Sequence, residues 1–380
     1  MTFTNLKSIN FITKSKFLNY KSHWIFSLFI WLLFVFPAQA IELKVAIKKE
    51  VSSVKIGSST TAIVRDGAGK QLGQLTPMSS LAAKLKGKTI AINDRVGAGE
   101  LIIEPQNNGY VWIGDRWYRG KTRLIRQDNS ITAINNVDLE QYLYSVVGAE
   151  AISTWPIEAL KAQAVAARSY ALYKHNTSNG IYDVDTTIGT QVYHGLDSEY
   201  TTTHEAVDGT LGQIMTYNNE VILAAFHSSS GGYTENVEDV WTAPLPYLRS
   251  VVDYDQKSPV FEWQQVIPVS KIQSLVAGVG RISGLQPEKM TPHGRIITMK
   301  VTGDRGTTTV SGKNLRQALD LRSTLFRVST DGNNLQIKGR GFGHGLGLSQ
   351  WGAYFLAQQG VNYHQILAHY YQNANLTKLN

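Results

Sequence analysis

Cysteine occurs nowhere in the 380 residues. Its absence excludes disulfides, thiolate nucleophiles and Cys-ligated metal, so an exported form of this chain must hold together by its core. Charged residues are sparse at 17%, beside 43% hydrophobic ones, an ordinary globular composition. Several catalytic signatures are also missing. The glycine-dense stretch at 339–347 fits neither G-x-G-x-x-G nor G-x-x-x-x-G-K-[ST], which removes the common phosphate cradles. No H-E-x-x-H pair is present to bind zinc. The stretch "FHSSSGG" (226–232) is not a G-x-S-x-G elbow, which argues against a serine nucleophile. Internal repeats and low-complexity segments are lacking.

The first forty residues read as an export signal. Lys7, Lys14, Lys16 and Lys21 are their only charges, and "WIFSLFIWLLFVF" (24–36) is an apolar run broken only by Ser27. Ala38 and Ala40 in "PAQA" form a small-x-small cleavage site before Ile41. The run is shorter than the roughly 20 residues that span a bilayer. The reading is therefore a signal peptide over 1–40, with an uncleaved membrane anchor as the alternative. Either way the rest of the chain is expected outside the cytoplasm, in periplasm, cell wall or medium. The signal carries four of the net +8 charges, and the +4 left behind suits an anionic surface but is too weak to imply nucleic acid.

Residues 41–135 alternate in short β-branched and aromatic runs broken by Gly, Asn and Asp, the pattern of a β-rich region. From 136 the pattern turns mixed. "DLEQYLYSVV" predicts a helix capped by Asp138 and stopped near Gly148, and "WPIEALKAQAVAARSYALYKHN" a longer one with Pro156 in its first turn. Strands are expected near 182–194 and 211–230, a helix at 198–208, and alternation again over 260–330. Two helices close the chain. Ser349 caps the first and Gly360 stops it, while Asn362 and Gln365 open the second as a capping box. The fold class is α+β, a β-rich N-terminal region packed on a mixed α/β core (136–380) with a groove.

Three features carry candidate chemistry. Ile157, Leu160, Ala164, Ala167 and Ala171 form one buried stripe of the long helix, and Arg168 sits at its border. There it either makes a structural ion pair or faces a cleft. Glu150 lies among Val146, Val147, Ala149, Ala151 and Ile152. Apolar company raises a carboxyl pKa, as a general acid requires, although a helix-capping glutamate would look the same. Finally, glycine at 339, 341, 343, 345 and 347 reads as a bare backbone wall for a bulky substrate, with His344, Ser349 and Gln350 as polar contacts. His227 and the serines around Ser229 make a second wall.

Taken together, "YLYSVVGAEAISTWPIEALKAQAVAARSYAL", "TQVYHG", "FHSSSGGYTENVEDVW" and "GRGFGHGLGLSQWGA" resemble the SpoIID/LytB family of bacterial cell-wall proteins. That family includes a sporulation lytic transglycosylase and an amidase enhancer, and the resemblance runs from about Asn135 to the C-terminus. It implies a glycan-binding groove and peptidoglycan glycan strands as substrate. Glu150 would be the catalytic acid, with Arg168, Gln163, Gln191, Tyr193, His227, Ser229, His344, Ser349 and Gln350 as substrate contacts. It also implies a cell-wall amidase as a possible partner. In the sporulation enzymes a His/Cys zinc site surrounds the segment matching "YDVDTTIGTQVY". Thr190 stands here where a cysteine would, so neither zinc nor another cofactor carries over.

Overall fold

The computed structural model describes residues 41–379 except 94, 188, 242, 274 and 277. The expected signal peptide lies outside the described residues. No helix among the described residues is long and apolar enough to cross a membrane.

Two sheets build the N-terminal part. The larger has seven strands, with Lys121–Gln127 at its centre, and includes the antiparallel pair Glu42–Val51 and Ser130–Asp138, running from Glu42 opposite Asp138 to Val51 opposite Ile131 with two register shifts. The smaller has six strands, with Ser53–Ser58 between Val111–Ile113 and Ser80–Lys86. Alternation delivers one face of each strand inward: Leu43, Val45, Ile56, Leu101, Ile103, Ile131 and Ala133 are buried. These residues share one core with the first helices of the second half. The β-rich region and the helices thus form an α+β fold around a common interior, and from Ile41 onward the chain is one unit.

Helix α1 (Leu139–Glu150) begins where Asp138 accepts hydrogen bonds from the Glu140 and Gln141 amides, a cap worth about 1 kcal/mol. It runs past Gly148 rather than stopping there. Gly148 is required inside the helix because a Cβ would lie 2.1 Å from the Ser198 carbonyl oxygen. As a result Glu150 is the last helical residue instead of a loop residue. Helix α2 (Ile157–Thr177) departs further from expectation. Leu160, Ala164, Ala167 and Ala171 do face the first core, but Ala162, Val165 and Ala166 are equally buried in a second one. The helix is wrapped on both sides, so its alanines face packed neighbours all round rather than along one stripe.

The second core is completed by Ile222, Ala224, Leu346 and Leu348 and by the closing helices α3 (Gln350–Gln358) and α4 (Tyr363–Tyr370). Ser349 and the Asn362–Gln365 box cap these helices as expected. Residues 263–337 fold around a third core of their own, with two three-stranded sheets and a helix at Gly312–Ala318 that alternation alone did not predict. The strand expected over 182–194 shrinks to Val184–Asp185, because the Asp185 side chain binds Thr187 and Thr190 and turns the chain.

Candidate active site

Segments far apart in sequence converge at the C-terminal end of α1. That end leaves unpaired carbonyls and the negative pole of the helix dipole, and no basic residue occupies the last turn. A carboxylate there is disfavoured before any other neighbour is counted. Glu150 is half-buried as well, and its desolvation is the main cause raising its pKa. Two donors oppose it. The Val192 N–H reaches Glu150 Oε1 at 2.7 Å, and the Gln350 side chain also bonds the carboxylate. Among the described residues no charged side chain contributes to the shift. Burial therefore favours the protonated acid while two neutral donors favour the carboxylate, a balance suited to giving a proton and retaking it.

Gln350 is delivered by α3. Phe226 and His227 pair in parallel with Leu348 and Ser349, and the Trp351 N–H bonds the Ser228 carbonyl. Gln350 Nε2 then lies 3.4 Å from Gln163 Oε1 on α2. Next in chain, Trp351 meets Trp155 at 4.9 Å between ring centroids, and Tyr354 joins both. These half-buried aromatics form a cluster next in chain to Gln350 that sequence patterns do not signal.

Hydrogen bonds fix the tautomers of the two histidines. His227 Nδ1 lies 3.0 Å from the Leu346 carbonyl, which only accepts, so Nδ1 carries the proton. Its Nε2 is then a lone-pair acceptor, buried and without a partner among the described residues. His344 Nδ1 instead accepts the Leu346 N–H, at 3.0 Å. Burial and the Arg295 and Arg316 guanidiniums press His344 down to about 3, and burial likewise holds His227 well below its usual range. Both rings are neutral at physiological pH.

Other expected contacts turn inward. Arg168, Gln191, Tyr193, Ser229 and Ser349 are all 0–1% exposed. Arg168 makes the structural pair: its Nε and Nη2 reach Glu140 at 2.8 and 2.6 Å, while Nη1 donates to the Gln213 carbonyl and Nη2 also to that of Val207. Gln191 accepts from the Tyr142 hydroxyl and donates to the Ala167 carbonyl, while Tyr193 donates to Asn135. These two anchors pin the segment whose middle residue offers its N–H to Glu150. Ser349 caps α3, and Ser229 bonds Asp255.

The alternating glycines also need a different explanation. Gly341, Gly343, Gly345 and Gly347 all have positive φ. A Cβ on Gly341 would lie 2.7 Å from the Ser229 carbonyl, on Gly343 2.7 Å from His227 Cβ, on Gly345 2.5 Å from the Arg295 guanidinium, and on Gly347 2.0 Å from the Ala225 carbonyl. Gly339 sits 2.2 Å from Trp263 by the same measure. What comes too close for side chains is the protein itself, not a ligand.

Beneath this wall lies a charged interior that no pattern in the sequence signals. Arg295, 1% exposed, donates to the Ser230 and Gly343 carbonyls and pairs with Glu235 at 3.6 Å. Asp253 receives the Ser230 and Tyr370 hydroxyls, and Asp255 the Ser229 hydroxyl and the Gly231 N–H. No group of three or more metal-ligating side chains occurs among the described residues.

A stage II sporulation protein (SpoIID) model matches residues 127–217, covering Glu150 and Val192. Stage II sporulation protein D of Bacillus subtilis is 35% identical over 271 residues, which span 65% of this chain and 76% of the relative. The chain belongs to the SpoIID/LytB family. A second sporulation protein D, from Bacillus amyloliquefaciens, is 36% identical with the same coverage. The amidase enhancer of B. subtilis is 30% identical over 62% of this chain and 40% of its own length. Residues 254–347, which hold the third core and all five alternating glycines, match a domain of unknown function (DUF8618).

Proposed function

We propose that this SpoIID/LytB protein is an exported peptidoglycan lytic transglycosylase with Glu150 as acid and then base. The observation that carries the reading is the isolation of this carboxyl: shifted upward by burial, held by Val192 and Gln350, and with no charged neighbour among the described residues. Hydrolytic glycosidases use two carboxyl groups, because water must be activated or a covalent intermediate formed. A transglycosylase needs one. Glu150 protonates the MurNAc–GlcNAc glycosidic oxygen as the bond breaks. The carboxylate then takes the proton of the sugar's own C6 hydroxyl, which closes on the anomeric carbon and leaves a 1,6-anhydro end. Trp351, next in chain to Gln350, and Trp155 packed against it offer apolar faces on which sugar rings pack. His227 Nε2 is an acceptor that remains neutral.

The decisive experiment digests sacculi, intact and stripped of peptides, with the parent protein and with Glu150→Gln, and looks for anhydro-muropeptides. Products from the parent alone support the reading, and equal product from both removes Glu150 from the chemistry. The likeness to an amidase enhancer favours one second reading, a glycan-binding protein that stimulates an amidase without cutting. That reading wins if neither protein yields anhydro ends and both raise amidase turnover.

A further inference from the structure

Away from Glu150, an open cleft of about 990 Å³ lies against the sheet formed by Glu262–Pro268, Asn334–Arg340 and Phe326–Asp331. Arg327, Lys338 and Arg340 line it. Their placement is costly by the rules of sheet pairing. Arg327 and Lys338 are register partners on neighbouring antiparallel strands, and like charges directly opposite destabilise a sheet. Arg340 follows on the same side of Lys338's strand. None of the three side chains makes an ion pair or hydrogen bond to any described residue, although Glu262 is the register partner of Arg340. Three cations aligned on one face against a single carboxylate, Glu262, leave a net positive field for an anion with several charges.

Other lining residues narrow the chemistry. Pro287, Leu325 and Met290 give the cleft an apolar side, and Met290 is 53% exposed. A bare phosphodiester chain has nothing to cover that surface, and Glu262 would repel it. A short peptide carrying two or more carboxylates, a free amine and small apolar side chains meets every part: carboxylates on the cations, amine on Glu262, methyl groups on Met290. We propose that this cleft is a second binding site, separate from Glu150, and that its ligand is a short acidic peptide. Such a peptide has two sources, the stems of the cell wall or an acidic segment of a partner protein.

The test uses the full exported chain carrying Glu150→Gln, so binding is read without cleavage and independently of the transglycosylase reading. The probe is a labelled tetrapeptide with two free carboxylates and one free amine, titrated by fluorescence anisotropy. The triple variant R327S/K338S/R340S should weaken binding roughly tenfold or more, since three partly exposed charge pairs are lost together. Lys70→Ser, an exposed cation elsewhere, should change nothing. The triple variant should also melt no lower than its parent, because it removes a like-charge opposition; this guards against misfolding as the cause of weak binding. Unchanged affinity in the triple variant overturns the proposal. So does equal affinity for the tetrapeptide with both carboxylates amidated, or binding of inorganic polyphosphate that the peptide fails to displace. Retention on sacculi assigns the source. If the triple variant loses retention on intact walls but not on peptide-stripped ones, the ligand is the wall stem. If it matches its parent on both walls while still losing the tetrapeptide, the ligand is a protein segment.

Discussion

Glu150 and Val192 meet in one short hydrogen bond, the Val192 N–H to Glu150 Oε1 at 2.7 Å, across 42 residues of chain. The bond orients a carboxyl that burial and the helix end both push toward its protonated form. A backbone donor cannot be deleted by changing the Val192 side chain, so the test falls on the carboxyl and on the anchors that hold the segment.

Glu150→Gln keeps the shape and removes the transferable proton. Release of anhydro products should fall by about 10²–10⁴-fold, the usual worth of a general acid, with glycan binding retained. Its stability should change in a definite direction. A raised pKa in the folded state means that the folded chain holds this proton more tightly than the unfolded one, so stability is lost as pH rises through the folded value. The glutamine variant should therefore melt higher than the parent at neutral pH, and the gap should close below about pH 4. Thermal melts at several pH values measure this.

Asp255 should give a second pH dependence of the same sign. Burial first, and then Asp253, raise it from 3.8 to about 6. Its stabilising proton is bound below about pH 4 and lost through about pH 6. Asp255→Asn should flatten that part of the stability curve. An unchanged slope in urea titrations across pH 4–7 would remove Asp255 from the account.

Gly347→Ala and Gly360→Ala separate clash from backbone strain. Both have positive φ, which costs a non-glycine residue about 1–2 kcal/mol. Around Gly360 nothing lies within 4 Å of the added methyl, whereas at Gly347 it meets the Ala225 carbonyl at 2.0 Å. Gly360→Ala should lose about 1 kcal/mol and keep its activity. At position 347 the loss should exceed about 3 kcal/mol, and activity should fall because Gln350 is displaced three residues on. Denaturant titration alongside anhydro-product assays distinguishes the two.

Arg168→Ala should act through stability alone. Breaking a buried pair commonly costs about 3–5 kcal/mol, and Glu140 would be left facing the empty site. Arg168→Met with Glu140→Leu, which removes both charges, should recover much of that loss. If the folded fraction of Arg168→Ala binds glycan more weakly than the parent, Arg168 has a role beyond the ion pair.

Local signals read well wherever the local chain decides. Asp138, Ser349 and the Asn362–Gln365 box cap their helices because a cap involves only three or four neighbouring residues. Strand alternation over 41–135 is equally local. Glu150 stood out for a similar reason, since its apolar neighbours are adjacent in sequence. Long-range contacts were not legible. Gly148 looks like a helix stop until Ser198 is seen against it.

By itself the sequence determined that Glu150 would lack a charged neighbour in the chain, that cysteine chemistry is absent, and that glycine alternates over 339–347. Only the tertiary structure decided what those facts mean. The glycines give way to Ser229, His227, Arg295 and Ala225 rather than to a ligand, and five polar residues expected in the groove turn inward. Packing is the reason. A side chain's direction depends on partners 40 to 190 positions away, such as Val192 for Glu150 and Gln350 for Gln163, and no periodicity encodes them.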